Sequence, residues 1–93
     1  MEKHLSILGL KVKDSVTGFT GIATSVSFDL YGCIQCVINP GMNSEGKLGD
    51  SLWFDKNRLI ILDTTPVMKQ PDFQSQNISE AEKGPENKPM YKN

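Results

Sequence analysis

Residues 22–30, IATSVSFDL, alternate between two kinds of side chain along their whole length. Even-numbered positions hold Ile, Thr, Val, Phe and Leu, and odd-numbered positions hold Ala, Ser, Ser and Asp. Successive side chains of a β-strand point to opposite faces, so this alternation puts the larger apolar groups on one face. The segment therefore predicts a long strand and is the firmest local constraint on the fold.

Four shorter apolar stretches are separated by glycine-rich or polar segments, and they predict further strands. They are residues 12–16, 33–39, 52–54 and 59–62. No stretch has the length and period of a long helix. Five short strands in about 60 residues predict an all-β domain, a small SH3-like, five-stranded, partly open barrel. An OB-like barrel is the alternative, although residues 1–65 are short for it.

Turns are predicted where glycine and proline punctuate these strands. Gly18 and Gly21 flank Phe19, which favours a tight turn or bulge with positive φ. Tyr31-Gly32 predicts a second turn. Residues 41–50, GMNSEGKLGD, show no periodicity and are typical of a loop.

Composition changes abruptly after Thr65. Residues 66–93 hold four of the five prolines, and their apolar residues follow neither strand nor helix spacing. Such a segment buries too little surface to offset the entropy of ordering it. The chain is therefore predicted to consist of a β-barrel domain, residues 1–65, and a flexible polar tail, residues 66–93. Docking of this tail on a neighbouring subunit is the alternative.

Charge and hydropathy limit the classes of partner. Ten basic and eleven acidic residues leave a formal charge of −1, and the sequence pI is about 5.7. General binders of duplex nucleic acid are usually strongly basic, so that role is not favoured. No segment has the roughly 20 apolar residues that cross a bilayer, and the N-terminus lacks a signal-peptide core. We expect a cytosolic protein that binds no membrane.

The Cys33-Ile34-Gln35-Cys36 segment has the spacing of a metal or redox site. On a strand, however, residues three apart point to opposite faces, so the two sulfurs cannot meet one ion. A structural zinc ion also takes four ligands, and the only histidine is His4. We expect no metal site and no cofactor, with Cys36 as a core residue and Cys33 partly covered.

Catalytic constellations are equally weak. A nucleophile needs a neighbouring base, and His4 is a poor candidate. Four aspartates lie near predicted turns, where carboxylates usually accept backbone hydrogen bonds. They are Asp14, Asp29, Asp50 and Asp55. The chain is therefore not expected to be an enzyme.

Aromatic and cationic residues near the loops are the candidate contacts for a ligand or partner. On the strand 52–54, Trp53 and Phe54 point to opposite faces, so one ring is predicted in the core and the other near the surface. An exposed ring beside a cation can stack a base or anchor a protein. The favoured alternative is that both rings are covered, one of them by the tail, and that residues 55–58 form only a turn. The candidate contact residues are Phe19, Tyr31, Trp53, Lys56 and Arg58.

Two segments resemble a known group of proteins. They are VKDSVTGFTGIATSVSFDLYGCIQ and WFDKNRL, which are similar to small, mostly uncharacterised bacteriophage and prophage proteins that share V-x-D-x-V-T-G-F-x-G-I-x-T, G-C-x-Q and W-F-D-x-x-R-L. The resemblance spans about residues 9–62. A looser similarity is to SH3-like and KOW-type barrels, although the charge balance departs from the basic KOW pattern.

The resemblance implies a non-enzymatic phage accessory protein that binds and blocks a host factor or defence component. The target would be a host protein or a sequestered nucleotide immune signal. A nucleic-acid-binding module and a minor virion or assembly protein are the alternatives. Homo-oligomerisation is expected, because a small barrel with open edges invites edge pairing.

Overall fold

The alternating segment forms the central strand of a single antiparallel sheet in the computed structural model, which describes residues 2–73. The elements are α1 (Glu2–Leu5), β1 (Lys11–Asp14), β2 (Thr20–Phe28), β3 (Ile34–Asn39), β4 (Leu52–Asp55), a 3-10 turn (Lys56–Arg58) and β5 (Leu59–Asp63). The strand order is β4-β3-β2-β1-β5. Within residues 2–73, β4 and β5 do not pair, so the sheet is not closed. The prediction of an all-β, SH3-like, partly open five-stranded barrel is confirmed.

A β-bulge in β2 changes which of its faces points to the core. Ala23 lies opposite Ile38, and Ser25 lies opposite Val37, so Thr24 is an extra residue in the ladder. Ala23 is buried while Thr24 is exposed. The prediction that even-numbered residues share one face along the whole segment is therefore wrong, because one inserted residue reverses the alternation.

Gly21 and Gly18 have different roles. Gly18 has a φ of 83°, which confirms the predicted turn residue. Gly21 lies inside β2 and has no positive φ, so that part of the turn prediction is wrong. A Cβ on Gly21 would lie 2.7 Å from the carbonyl carbon of Asn39. Close approach of β3 therefore requires glycine here.

The core lies on one face of the sheet. Its buried apolar residues are Ile7, Leu10, Val12, Ala23, Cys36, Ile38 and Phe54. Phe19, Val26 and Leu59 pack against this cluster and are partly buried. Burying one such aliphatic or aromatic side chain stabilises the fold by about 1.5–3 kcal/mol.

The N-terminal segment supplies two of these core residues. Ile7 and Leu10 are buried, although they precede the first strand. The Gly9 N–H donates to the Ala23 carbonyl at 2.8 Å, and the Ala23 N–H donates to the Leu10 carbonyl at 3.1 Å. His4 packs edge-on against Phe28, with 6.0 Å between ring centroids. Sequence reasoning, which treated His4 as part of a fraying end, missed this docking.

The two cysteines lie as strand geometry requires. Cys36 is buried inside β3, whereas Cys33 is exposed and immediately precedes that strand. Both thiols are free. The prediction that an extended chain separates the two sulfurs is confirmed. Among residues 2–73, no three His, Cys, Asp or Glu residues lie together in a way that could hold a metal ion.

Residues 66–73 return to the N-terminal segment after β5. The Val67 N–H donates to the Gly9 carbonyl at 2.9 Å. The domain boundary at residue 65 stays a prediction, and residues 74–93 of the predicted flexible tail lie outside the described residues. None of the helices in residues 2–73 has the length and apolar content needed to cross a bilayer.

Candidate binding surface

Asp14, at the end of β1, is the centre of a polar cluster on the core side of the sheet. Its carboxylate is fully buried. Arg58 donates from Nε to Oδ1 and from Nη2 to Oδ2, both at 2.7 Å. Thr17 donates to Oδ2 from its backbone N–H at 2.8 Å and from its hydroxyl at 2.6 Å. These four hydrogen bonds replace the water that the carboxylate loses on burial.

The same hydrogen bonds shift the pKa values of both Asp14 and Arg58. The hydrogen bonds from Arg58 hold the pKa of the Asp14 carboxyl well below its usual range and outweigh the opposing effect of burial. The hydrogen bond to Asp14 in turn raises the pKa of Arg58. Both groups stay charged near neutral pH, so they form an ion pair there.

Two aromatic rings complete this cluster, which we call the Asp14 corner: Asp14, Thr17, Phe19, Phe54 and Arg58. The ring centroids of Phe19 and Phe54 are 5.3 Å apart. The guanidinium carbon of Arg58 lies 5.4 Å from the centroid of Phe54, which is cation–π distance. Two of the predicted contact residues, Phe19 and Arg58, thus have intramolecular partners in this corner.

A shallow cleft of about 230 Å³ lies where the β2–β3 hairpin approaches the 3-10 turn. We call it the tip cleft; its lining residues are His4, Gly32, Cys33, Ile34, Asp55, Lys56 and Asn57. Asp29 accepts hydrogen bonds from the backbone N–H groups of Tyr31 and Cys33, both at 2.9 Å. These bonds fix the hairpin next to the cleft and confirm the predicted turn-capping role of Asp29.

The groups around the tip cleft are poorly suited to nucleophilic chemistry. The charge of Asp29, and then burial, raise the pKa of the Cys33 thiol, which disfavours the reactive thiolate. Burial, and then the charge of Lys56, lower the pKa of His4. The His4 Nδ1 is buried without a hydrogen-bond partner in the described structure. The arrangement can hold a small polar group but does not activate the thiol.

Trp53 lies on the outer face of the sheet. Across the ladder it is opposite Val37, while its neighbour Phe54 is opposite the buried Cys36. Trp53 is 56% exposed and Phe54 is buried. The two rings thus lie on opposite faces, as strand geometry predicts, with Phe54 in the core. The favoured alternative, that both rings are covered, is wrong, because Trp53 is exposed.

The most apolar exposed strand is β5, whose residues Leu59–Leu62 we call the β5 edge. Ile60, Ile61 and Leu62 are 51%, 48% and 48% exposed. On one side β5 pairs with β1, and no strand in residues 2–73 pairs with its other side. The β5 edge thus presents both apolar side chains and an open strand side.

The five predicted contact residues do not form one site. Phe19 and Arg58 lie in the Asp14 corner. Lys56 lines the tip cleft, Tyr31 is exposed in the β2–β3 hairpin, and Trp53 is exposed on the outer face. Their contacts with a partner stay a prediction. Sequence reasoning missed the β5 edge, because four consecutive apolar residues without alternation usually indicate a strand that is covered on both faces.

Comparisons of the chain with protein-family models, with curated proteins and with solved structures found no match. The proposals that follow therefore depend on the geometry of the described residues and on the sequence motifs.

Proposed function

We propose that this protein is a non-enzymatic binding module that holds an extended segment of a protein partner along the β5 edge. The observation that carries the proposal is the exposure of about half of each of three consecutive apolar residues on an open strand. Proteins commonly protect such edges with charged residues or proline. Leu59–Leu62 contains neither.

Strand addition suits the chemistry of this edge. An added strand gains affinity from backbone hydrogen bonds and specificity from alternate side chains. Ile60 lies opposite Lys13, and Ile61 lies opposite the buried Val12, so they face opposite sides of the sheet. A partner segment with apolar side chains at consecutive positions would meet apolar surface on both faces of the sheet.

The regular part of the edge is short. The ladder between β1 and β5 shifts between Val12, opposite Ile61, and Lys11, opposite Asp63, so Leu62 is an extra residue. A bulge twists a strand and limits pairing along it. We therefore expect a partner to pair with a few residues and to depend strongly on its apolar side chains.

The wider biological role we propose is that of a phage or prophage accessory protein that binds and blocks a host factor or defence component. The support for this role is the resemblance of the two sequence segments to small phage proteins. Holding a target requires an accessible surface and no turnover, which agrees with the β5 edge and with the protonated Cys33 thiol.

The experiment is a pull-down from bacterial lysate with the tagged protein and two variants. Ile60→Glu puts a charge on the β5 edge, where Lys13 is its cross-strand neighbour and helps to keep the variant folded. Met42→Glu makes the same type of change at an exposed residue in the β3–β4 loop. We expect Ile60→Glu to lose the captured partner and Met42→Glu to retain it. Equal capture by Ile60→Glu would reject the edge as the binding surface.

A second copy of the chain is the competing occupant of the β5 edge, and homo-oligomerisation remains part of the proposal. Light scattering during size-exclusion chromatography measures it. A mass above 10.3 kDa that returns to the monomer value in Ile60→Glu would assign self-association to this edge. A monomer at high micromolar concentration would reject it.

The tip cleft supports a second candidate function, the binding of a nucleotide or a nucleic-acid segment. Lys56 and His4 line this cleft, and Tyr31, next to Gly32, is 86% exposed and available to stack a base. A panel of nucleotides should then raise the melting temperature through ligand linkage, and Tyr31→Ser should abolish the shift. No shift across the panel would remove this candidate.

A further inference from the structure

One side chain joins the two ends of the described chain. The Gln70 amide nitrogen donates to the Ser6 carbonyl at 2.8 Å and to the Leu8 carbonyl at 2.6 Å. These carbonyls follow the short helix α1, whose last carbonyl groups have few partners within the helix itself. Gln70 thus closes the end of the N-terminal segment from a position more than 60 residues away in sequence.

A backbone contact lies beside this clamp. Gly9 has a φ of 86°, and a Cβ built on it would lie 3.3 Å from the Cβ of Pro66. The Gly9 carbonyl accepts the hydrogen bond from Val67, and its N–H donates to Ala23 of β2. Gly9 therefore links residues 66–73, which we call the strap, to the central strand of the sheet.

The strap itself is held mainly by these polar contacts. Val67 and Met68 are largely exposed, and Phe73 is also exposed, so the strap buries few apolar side chains of its own. Segments with few buried contacts and a small number of hydrogen bonds open locally at a lower free energy than the sheet core. The N-terminal residues beneath the strap are different, because Ile7 and Leu10 are buried in the core.

The strap also forms one wall of an apolar groove of about 290 Å³. The opposite wall includes Leu8 from the N-terminal segment and Ile22 from β2, and the strap contributes Val67, Met68 and Phe73. The groove exists only while the strap is closed. Opening the strap removes one wall and exposes the apolar residues beside Leu8.

We propose that the strap is a releasable latch, clamped by the Gln70 side chain, which opens while residues 5–10 and the sheet stay folded. Its release dismantles the apolar groove and uncovers the Ser6 and Leu8 carbonyls. The protein thereby has two folded states, one with the groove and one without it. This inference is independent of the proposed function of the β5 edge.

The experiment is hydrogen exchange measured by mass spectrometry on the full chain. Gln70→Ala removes both clamp bonds. Asn43→Ala is the matched control, since the Asn43 side chain likewise makes two hydrogen bonds with the backbone, accepting from Glu45 and Lys47 in the remote β3–β4 loop. We expect Gln70→Ala to raise exchange about tenfold in residues 66–70, with residues 5–10 and β3 unchanged. Asn43→Ala should leave the strap as in the wild type.

Gln70→Glu tests whether the side chain faces the two carbonyls. At neutral pH its carboxylate has no donor and repels both carbonyl oxygens, so the strap should open. Protonation at pH 4 restores one donor. The excess exchange over wild type, compared at the same pH, should therefore be larger at pH 7 than at pH 4.

Three outcomes would overturn the latch. Unchanged exchange of residues 66–70 in Gln70→Ala would show that the Gln70 side chain does not hold the strap closed. An equal rise in β3 would show that Gln70 contributes only to global stability and that no local opening exists. A pH-independent excess in Gln70→Glu would reject the contact with the two carbonyls.

Discussion

The Asp14 corner and the β5 edge adjoin each other in sequence, since Arg58 directly precedes Leu59, yet they satisfy their chemical groups in opposite ways. In the corner, a fully buried carboxylate has four hydrogen bonds from two residues. At the edge, Ile60 and Ile61 leave about half of each side chain in solvent. The buried carboxylate thus has its hydrogen-bond partners within the chain, whereas the apolar side chains of the edge remain half-exposed.

The comparison suggests different roles for the two regions: the Asp14 corner stabilises the fold, and the β5 edge is the surface that we propose for binding. The corner joins β1 to the 3-10 turn across 44 residues of sequence, so it fixes the start of β5. The contact holds the first residues of β5 in place, while the unpaired side of that strand stays available for pairing with another strand. We expect substitutions in the corner to change stability and substitutions at the edge to change binding.

The largest expected effect is the loss of stability in Asp14→Ala. The change removes the partner of Arg58 and the acceptor for Thr17 in a buried position, although water screens part of the pair because the Arg58 side chain is 37% exposed. We expect the melting temperature to fall by roughly 10 °C or more. Asp63→Ala is the control, because Asp63 is exposed and its carboxylate accepts a surface hydrogen bond from the Thr65 N–H. An equal fall in melting temperature in the two variants would contradict the stabilising role of the corner.

Acid should weaken the corner in a defined direction. Folding lowers the pKa of Asp14 below its ordinary value of 3.8, so the folded protein binds a proton there less readily than the unfolded chain. The contribution is complete above the ordinary value and is lost as the pH falls towards the lowered pKa. The melting-temperature gap between the wild type and Asp14→Asn should therefore narrow below about pH 4. A difference in melting temperature that stays constant down to about pH 2 would contradict the lowered pKa of Asp14.

Substitution of the two cysteines compares a buried position with an exposed one, and we expect an effect on stability of intermediate size. Cys36→Ser places a hydroxyl without a provided partner in the core and should cost about 1–3 kcal/mol of unfolding free energy. Cys33→Ser, on the exposed side, should leave the melting temperature unchanged. Denaturant titration of both variants measures the difference. Similar losses would mean that the two sulfurs share one environment.

The smallest expected effect on stability is that of Ile60→Glu. The residue is half-exposed, and the new carboxylate lies opposite Lys13, so the free energy of unfolding should change by no more than about 0.5 kcal/mol. The same variant should lose partner capture. A large loss of stability would show that the β5 edge is structural, as the corner is.

Local sequence signals predicted much of the strand content. Alternation identified β2, and the apolar residues around the two cysteines identified β3. Strand geometry then placed Cys36 in the core and Cys33 outside it. These features depend on side chains that are neighbours in sequence, and the periodicity of a strand acts at that range.

The contacts that define the candidate surfaces were not predictable in the same way. Asp14 was expected only to cap a turn, which it does through Thr17, but its pairing with Arg58 was missed. The bulge at Thr24 depends on how β2 fits against β3, and a single residue there reverses the inward face. The docking of Gln70 on the N-terminal segment joins residues that are more than 60 positions apart. No local sequence pattern around either of them predicts the contact.

The sequence by itself determined that the chain forms short strands, where most of them lie, and that the stretch with the paired cysteines is extended. The tertiary structure alone decided that Arg58 neutralises Asp14, that β5 is left as an open apolar edge and that residues 66–70 bind the N-terminus. The physical reason is the sequence distance over which each feature acts. Alternation depends on residues that are adjacent in sequence. Ion pairs, open edges and the Gln70 clamp depend on which distant segments the sheet order brings together.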